Sequence, residues 1–481
     1  MVTRVRLFQA GKHQEKNQAG VYAYRIPAIV TCKDGSIIAG GDRRYDHNQD
    51  WGHIDLVIKR SEDGGRTWSH EMSIVSLATH QDAKFKGQAA AFTLDMALIS
   101  DPSSGRVFAF YDMFPQGRGI FGLLEAGNLE PAYQFVDGNP YYCLYKRDSH
   151  KVLWGYCDLS GQVYDIDWQV QAYKVCLKSD KTPYQELGQV MRDDKLLGNI
   201  YLSDQENLPF RIAHNMFIWM SYSDDFGKTW SCPLDLTWSI KAPWMVFFGV
   251  GPGIGASLDL GQGHHRLLVP VYSTNHKRDL DGSQSSALIY SNDGGATWQR
   301  GQAVNDSRLG PDGQILSAET MQDYMAQNTE SVPVPIQGGW VLLFMRNRTG
   351  KVQVAQSFDG GLTWSGQVTS LKHVPDVYCQ LSAIRLDLKE GIFVILANAA
   401  GPNRQNGRLS IFRVELREKR LNYLGYYNLE PGKFAYNALQ RIDDDYIAIL
   451  YEHAQDQEND YSLVFEKIAI KEVFGNIIKN K

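Results

Sequence analysis

SEDGGRTW at 61–68, SDDFGKTW at 223–230, SNDGGATW at 291–298 and SFDGGLTW at 357–364 are four copies of one octet, Ser-x-Asp-x-Gly-x-Thr-Trp. Each copy brings Asp and Gly for a tight hairpin turn and a Trp to pack beneath it. The last three copies recur at roughly 67 residues, a length that suits one small antiparallel sheet per repeat. Repetition of such sheets predicts a β-propeller. The first two copies lie about 160 residues apart, which is one repeat plus an excess of about 95. That excess predicts an insertion, and the rest of the 481-residue chain accommodates six repeats of roughly 65. The expected fold is all-β: a six-bladed β-propeller over 1–115 and 213–481, with a small β-rich inserted domain over 116–212. The octets fold hairpins and carry no chemistry of their own.

Outward from the octets, short strands rich in Val, Ile, Tyr and Phe recur, as in VFAFYDMF at 107–114, FIWMSYSDD at 217–225, RLLVPVYST, WVLLFMRNR and DYIAILYEH. Between about 116 and 212 the octet is missing. The text there turns to Tyr and Asp in hairpin-like runs such as NPYYCLYKR, KVLWGYCDL and GQVYDIDWQVQAYKV. Helix signals are few, and LSAETMQDYMAQN at 316–328 admits either a short helix or an irregular loop.

The formal net charge of −5 and the lack of Lys/Arg-rich runs argue against nucleic acid or an anionic membrane as partner. No apolar stretch reaches the length of a membrane span, and the N-terminal residues lack the apolar core and cleavage site of a signal peptide. As read, the chain is soluble and untargeted, with no membrane insertion; localisation stays open. Six cysteines without Cys-x-x-Cys spacing predict free buried thiols.

Several familiar motif types are absent. GVGPGIGAS at 249–257 is interrupted by Pro252 and has no strand-turn-helix context, so it reads as a backbone turn. His264 and His265 are adjacent, not spaced along a helix, and no His/Cys/Glu cluster has zinc spacing, so neither a catalytic metal nor a cofactor is expected. There is no Gly-x-Ser-x-Gly elbow. The chemistry is left to polar residues scattered at strand ends, where propeller sites form around the axis.

YRIP at 24–27, GGDRR at 40–44 and QDWGHID at 49–55, then TES at 329–331, FMRNR at 344–348, GPNRQNG at 401–407, FAYNAL at 434–439 and YEHA at 451–454, follow one another in a telling order. With the octets, this series resembles the catalytic domain of the bacterial sialidases (neuraminidases) along the whole propeller. The resemblance implies an exo-α-sialidase that needs no cofactor. Its substrates would be the terminal sialic acids of glycoproteins, glycolipids or oligosaccharides. It implies that Arg25, Arg346 and Arg404 hold the sugar carboxylate, which planar guanidinium groups with paired donors suit best. It implies Tyr436 as nucleophile, where most other glycosidases attack with Asp or Glu. A neutral phenol approaches an anomeric carbon bearing a carboxylate more easily than an anion does. Glu330 is implied as the acceptor of the phenolic proton, and Asp50, preferred over nearby Asp46, as the acid that protonates the leaving oxygen and later activates water. Arg44 and Asp112 are implied on the N-acetyl side of the pocket.

Two rivals remain. In intramolecular trans-sialidases the sugar's own hydroxyl resolves the intermediate, and a Trp follows the Tyr-Glu or Phe-Glu pair of the last blade. Here that stretch reads YEHAQDQEND, without Trp, which favours water, although Trp154 or Trp168 of the insertion is available to cap the pocket. A non-catalytic glycan-binding propeller would keep the octets and lose the site, whereas every matched position is retained here. The insertion's tyrosines suit sugar stacking near an extended aglycone site.

Overall fold

The computed structural model describes residues 3–478 apart from 13–14, 80–86, 128, 205–206, 276–279, 307, 311–312 and 455–460. Six sheets of four or five strands, antiparallel except where Gly253–Ile254 lies parallel to Phe92–Ser100, form the blades of a propeller. Blade 1 is built from Ala23–Thr31, Ile37–Arg44, Ile54–Ser61 and Met72–Val75. Blades 2, 3, 4 and 5 begin with Phe92–Ser100, Phe247–Val250, Asn328–Pro335 and Ser382–Leu388. Blade 6 takes three strands from 437–469, and its outer strand is the N-terminal Thr3–Phe8, paired with Ser462–Ala469 in a register of Val5 on Phe465. Because each blade is covered on both faces by its neighbours, middle strands are apolar without alternation. All eight residues of Val107–Phe114 are buried.

The octets join the third and fourth strands of blades 1 to 4, and one set of Ser and Asp bonds recurs in every copy. The octet Ser Oγ accepts the N–H of the glycine at the fifth position at 2.8–2.9 Å, and the Asp carboxylate accepts the Thr N–H at 2.9–3.0 Å and the Thr hydroxyl. These bonds close within eight residues, so the motif folds by itself. Each turn also meets a neighbouring blade. In the third copy the Trp298 ring sits edge-on to Phe110 at 4.7 Å, and a Cβ on Gly295, where φ is +88°, would lie 2.2 Å from the Phe108 ring. We expect Gly295→Ala to destabilise the protein by about 3 kcal/mol through positive-φ strain and ring displacement. Thermal and urea unfolding of the purified variant check this. An unchanged melting temperature would refute it.

The insertion leaves blade 2 after Phe114 and returns at Phe217, and the two flanking strands pair directly, with Phe217 opposite Met113. It opens with a helix, Gly119–Ala126, which the sequence pattern does not announce, because glycines at 119 and 122 weaken the helical signal. An eight-stranded antiparallel sheet follows, in which Asn139–Lys146 pairs on one side with Leu153–Cys157 and on the other with both Tyr133–Val136 and Phe210–Ile212. The sheet docks on the outer edge of blade 2. Tyr133 and Tyr142 both donate to the Asp235 carboxylate, and Tyr184 Oη donates to the Trp230 carbonyl at 2.5 Å.

The 316–328 segment is a run of turns. Asp306 Oδ1 captures the Ala318 N–H at 2.8 Å, and Asp323 Oδ1 captures those of Met325 and Ala326. Side-chain acceptors thus take donors that a helix would have used. The six cysteines are free, and no helix among the described residues is long and apolar enough to cross a membrane.

Candidate active site

In a meandering blade the start of the first strand and the connection from the second to the third strand open on one face of the propeller. The octet turns lie on the other face. All eight residues singled out from the sequence fall on the first face, and so does the insertion. Arg25 and Glu330 stand near the starts of first strands, and Tyr436 directly precedes one. Arg44, Asp112 and Arg346 end second strands, while Asp50 and Arg404 occupy the loops that follow. Register breaks between Arg25 and Ala28, Leu94 and Ala97, and Asn328 and Ser331 mark bulges at three first strands. Such bulges re-aim side chains toward the axis. Ile26 and Asp95 carry φ of +55° and +62° there.

At the centre Tyr436 Oη donates to Glu330 Oε1 at 2.5 Å, and Arg346 Nη1 donates to the same phenol at 2.8 Å and to Glu330 Oε2. The guanidinium carbons of Arg25 and Arg404 each lie 5.5 Å from the Tyr436 ring centroid. Three arginines from blades 1, 4 and 5 therefore surround one phenol. Burial pushes that phenol well above the usual tyrosine range; Arg346 opposes the shift and Glu330 adds to it. The Tyr436 phenol is thereby held in its neutral form.

Asp50 is 45% exposed at its side chain. Arg44 Nη1 donates to its carboxylate at 2.7 Å and Arg25 Nη1 stands 3.5 Å away. Burial favours the protonated form of Asp50, but Arg44 and then Arg25 outweigh it and lower its pKa. Arg44 itself is fully buried, with Asp42 on its Nη2 at 2.7 Å and the Asn48 carbonyl on Nη1. It lies beneath the acid loop and not on the surface of the pocket.

Asp112 departs from the expectation that it lines the pocket. It is fully buried, its Oδ1 accepts the Val250 N–H at 2.9 Å, and a Cβ on Gly249 would press on its Oδ2. The strand-end position that looked like a lining site is roofed by the first strand of blade 3. Asp95, which sequence reasoning passed over, faces the site instead, with its amide donating to Asp42 Oδ1 at 3.2 Å. Burial, then Asp112 and Asp42, push the Asp95 carboxyl well up. Its signal was the lone charge in the apolar run FTLDMALIS.

The other residue missed is Glu452, inside YEHA. Its side chain is fully buried and accepts Arg25 Nε at 3.0 Å, the Ile26 N–H at 3.0 Å and the Tyr436 N–H at 3.3 Å. It ties the Tyr436 backbone to Arg25. Trp154 and Trp168, considered as caps, are engaged within the insertion. Trp154 packs on Phe210 and Tyr173, and Trp168 stacks on Tyr156 at 4.2 Å and meets Tyr141. Residues 455–460, in the stretch read for a missing Trp, lie outside the described residues.

The family model described as the BNR repeat-like domain matches residues 206–449, half of the chain. The chain belongs to that family. Among proteins similar to this BNR-repeat protein are the anhydrosialidase of Macrobdella decora, 25% identical over 98% of the chain, and the sialidase of Bacteroides fragilis (strain YCH46), 23% identical over 94%. The chain spans 63% of the length of each. A solved structure of the intramolecular trans-sialidase from Ruminococcus gnavus in complex with oseltamivir carboxylate matches with a TM-score of 0.76 at 22% identity, covering 96% of both chains. The sialidase-family resemblance and the six-bladed propeller expected from the octets are both borne out for this BNR-repeat protein.

Proposed function

We propose that this protein is a retaining exo-α-sialidase that releases terminal sialic acid from glycoconjugates, with Tyr436 as nucleophile and water as final acceptor. The observation that carries the reading is the Tyr436 to Glu330 hydrogen bond of 2.5 Å set among three arginines. Arg25, Arg346 and Arg404 clamp the sugar carboxylate. As the Tyr436 oxygen bonds to the anomeric carbon, its proton passes to Glu330, the glycosidic bond breaks, and Asp50 protonates the departing oxygen. In the second half Asp50 takes a proton from water, the hydroxide attacks the anomeric carbon as its bond to the Tyr436 oxygen breaks, and the released phenolate recovers its proton from Glu330. A Tyr nucleophile sets sialidases apart from glycosidases that work with a pair of carboxylates.

The clamp also accounts for how an acid held ionised by arginines comes to be protonated. A substrate carboxylate arriving on Arg25 offsets one of the two cations beside Asp50, and its pKa rises toward that of a usable acid.

One observation favours a second acceptor. The Macrobdella decora relative is named an anhydrosialidase, and a leech intramolecular trans-sialidase of similar fold is described in complex with 2,7-anhydro-Neu5Ac. The absence of Trp from YEHAQDQEND supports water here. Mass spectrometry of products from α2,3-sialyllactose tests the choice, and we expect free sialic acid. A product lighter by one water would assign the intramolecular reaction, and no product from any sialoside would leave a glycan-binding propeller.

A further inference from the structure

The acid loop is met from outside by the insertion. Asp50 is followed by Trp51, a half-buried ring that stands edge-to-face with Phe121 of the insertion helix at 5.9 Å. The Arg118 guanidinium carbon lies 5.0 Å from the Trp51 centroid, and His47 approaches from the other side at 5.7 Å. The approach is close enough to demand glycine. At Gly119, where φ is +58°, a Cβ would come within 3.2 Å of both the Asp50 carbonyl and the Phe92 ring. Phe121 is nevertheless 37% exposed, a large apolar side chain held open to solvent beside the most exposed group of the site. The insertion's other aromatic cluster, around Trp168, keeps to its own sheet.

The insertion helix meets the Asp50 loop at the Asp50 carbonyl, and Trp51 and Phe121 are in contact alongside it. Hexose rings carry an apolar C–H face that packs on aromatic rings and a polar rim that suits a guanidinium. We propose that Trp51 and Phe121, edged by Arg118, form a binding subsite for the first neutral hexose of the leaving group. The insertion helix thereby supplies substrate selection to a propeller that carries the chemistry. This assignment rests on the sialidase reading above.

The test compares α2,3-sialyllactose with α-sialosyl fluoride, whose leaving group is neither a sugar nor in need of a proton from Asp50. For Phe121→Ala in the full chain, the ratio of kcat/KM for sialyllactose to that for the fluoride should fall about fivefold, the scale of one aromatic stacking contact. Phe121→Tyr should restore most of it. An unchanged ratio, or an equal loss on both substrates, would overturn the subsite, the second result meaning that the helix only shapes the loop. A wild-type protein that turns over neither substrate would sink the sialidase reading itself, and the subsite with it.

Discussion

Tyr436→Phe is expected to lower kcat on α2,3-sialyllactose by at least about 1000-fold, the scale of losing a covalent nucleophile while the rest of the site still binds. The substitution removes one oxygen and keeps the ring between the Arg25 and Arg404 guanidinium groups, 5.5 Å from each. Arg346 and Glu330 remain paired with one another, so no charge is stranded. The loss of two hydrogen bonds costs about 1–3 kcal/mol of stability, and KM should move little. Because the proposed mechanism makes Tyr436 and Glu330 one proton-transfer unit, Tyr436→Phe combined with Glu330→Gln should be no worse than the single variant. Steady-state kinetics of the single and double variants beside the wild type decide this. A Tyr436→Phe protein retaining a tenth of wild-type kcat would remove the phenol from the mechanism.

What was legible in the sequence follows from how local each feature is. The octet closes all its bonds within eight residues, so its four copies announced blades 1 to 4 directly. Blades 5 and 6 have no octet and were expected on length alone. The matched residues Arg25, Glu330, Arg346, Arg404 and Tyr436 do converge, yet their convergence was known only through the family order, since neither spacing nor periodicity relates residue 25 to residue 436. Burial was the least legible quantity. Arg44 and Asp112 sit at strand ends that look open in the sequence, and both are closed over by neighbours far along the chain or in the next loop: the Asp50 loop for one, Val250 for the other. Asp95 and Glu452 were visible only as charges inside apolar runs, a pattern that means a satisfied buried group without naming its partner. The insertion helix was hidden for a chemical reason: the glycine at 119 that lets it approach the acid loop also weakens it as a helix.

Glu452→Gln is the variant for which the largest combined loss of stability and activity is expected. One fully buried carboxylate serves Arg25 through Nε at 3.0 Å and Nη2 at 3.5 Å, and also receives the Ile26 and Tyr436 backbone N–H groups. All four contacts bring donors. An amide of the same size offers one accepting oxygen, and its NH2 must then face a donor, while the buried Arg25 charge loses the nearer of its two counter-ions and keeps only Asp50 at 3.5 Å. Removing one partner of a buried ion pair costs about 3–5 kcal/mol. Ile26 adds to this, because its φ of +55° is unfavourable for a β-branched residue and persists only while Glu452 holds its amide. We therefore expect a clearly lower melting temperature, and, in the protein that remains folded at low temperature, a raised KM as Arg25 loses its fixed orientation. The kcat should fall too, since the Tyr436 backbone is tied to the same carboxylate. A purely structural role would lower the melting temperature and leave KM and kcat of the folded fraction unchanged. Glu452→Asp, which keeps the charge on a shorter arm, should recover stability more fully than activity, because the site depends on where the carboxylate holds Arg25 and Tyr436 as well as on its charge.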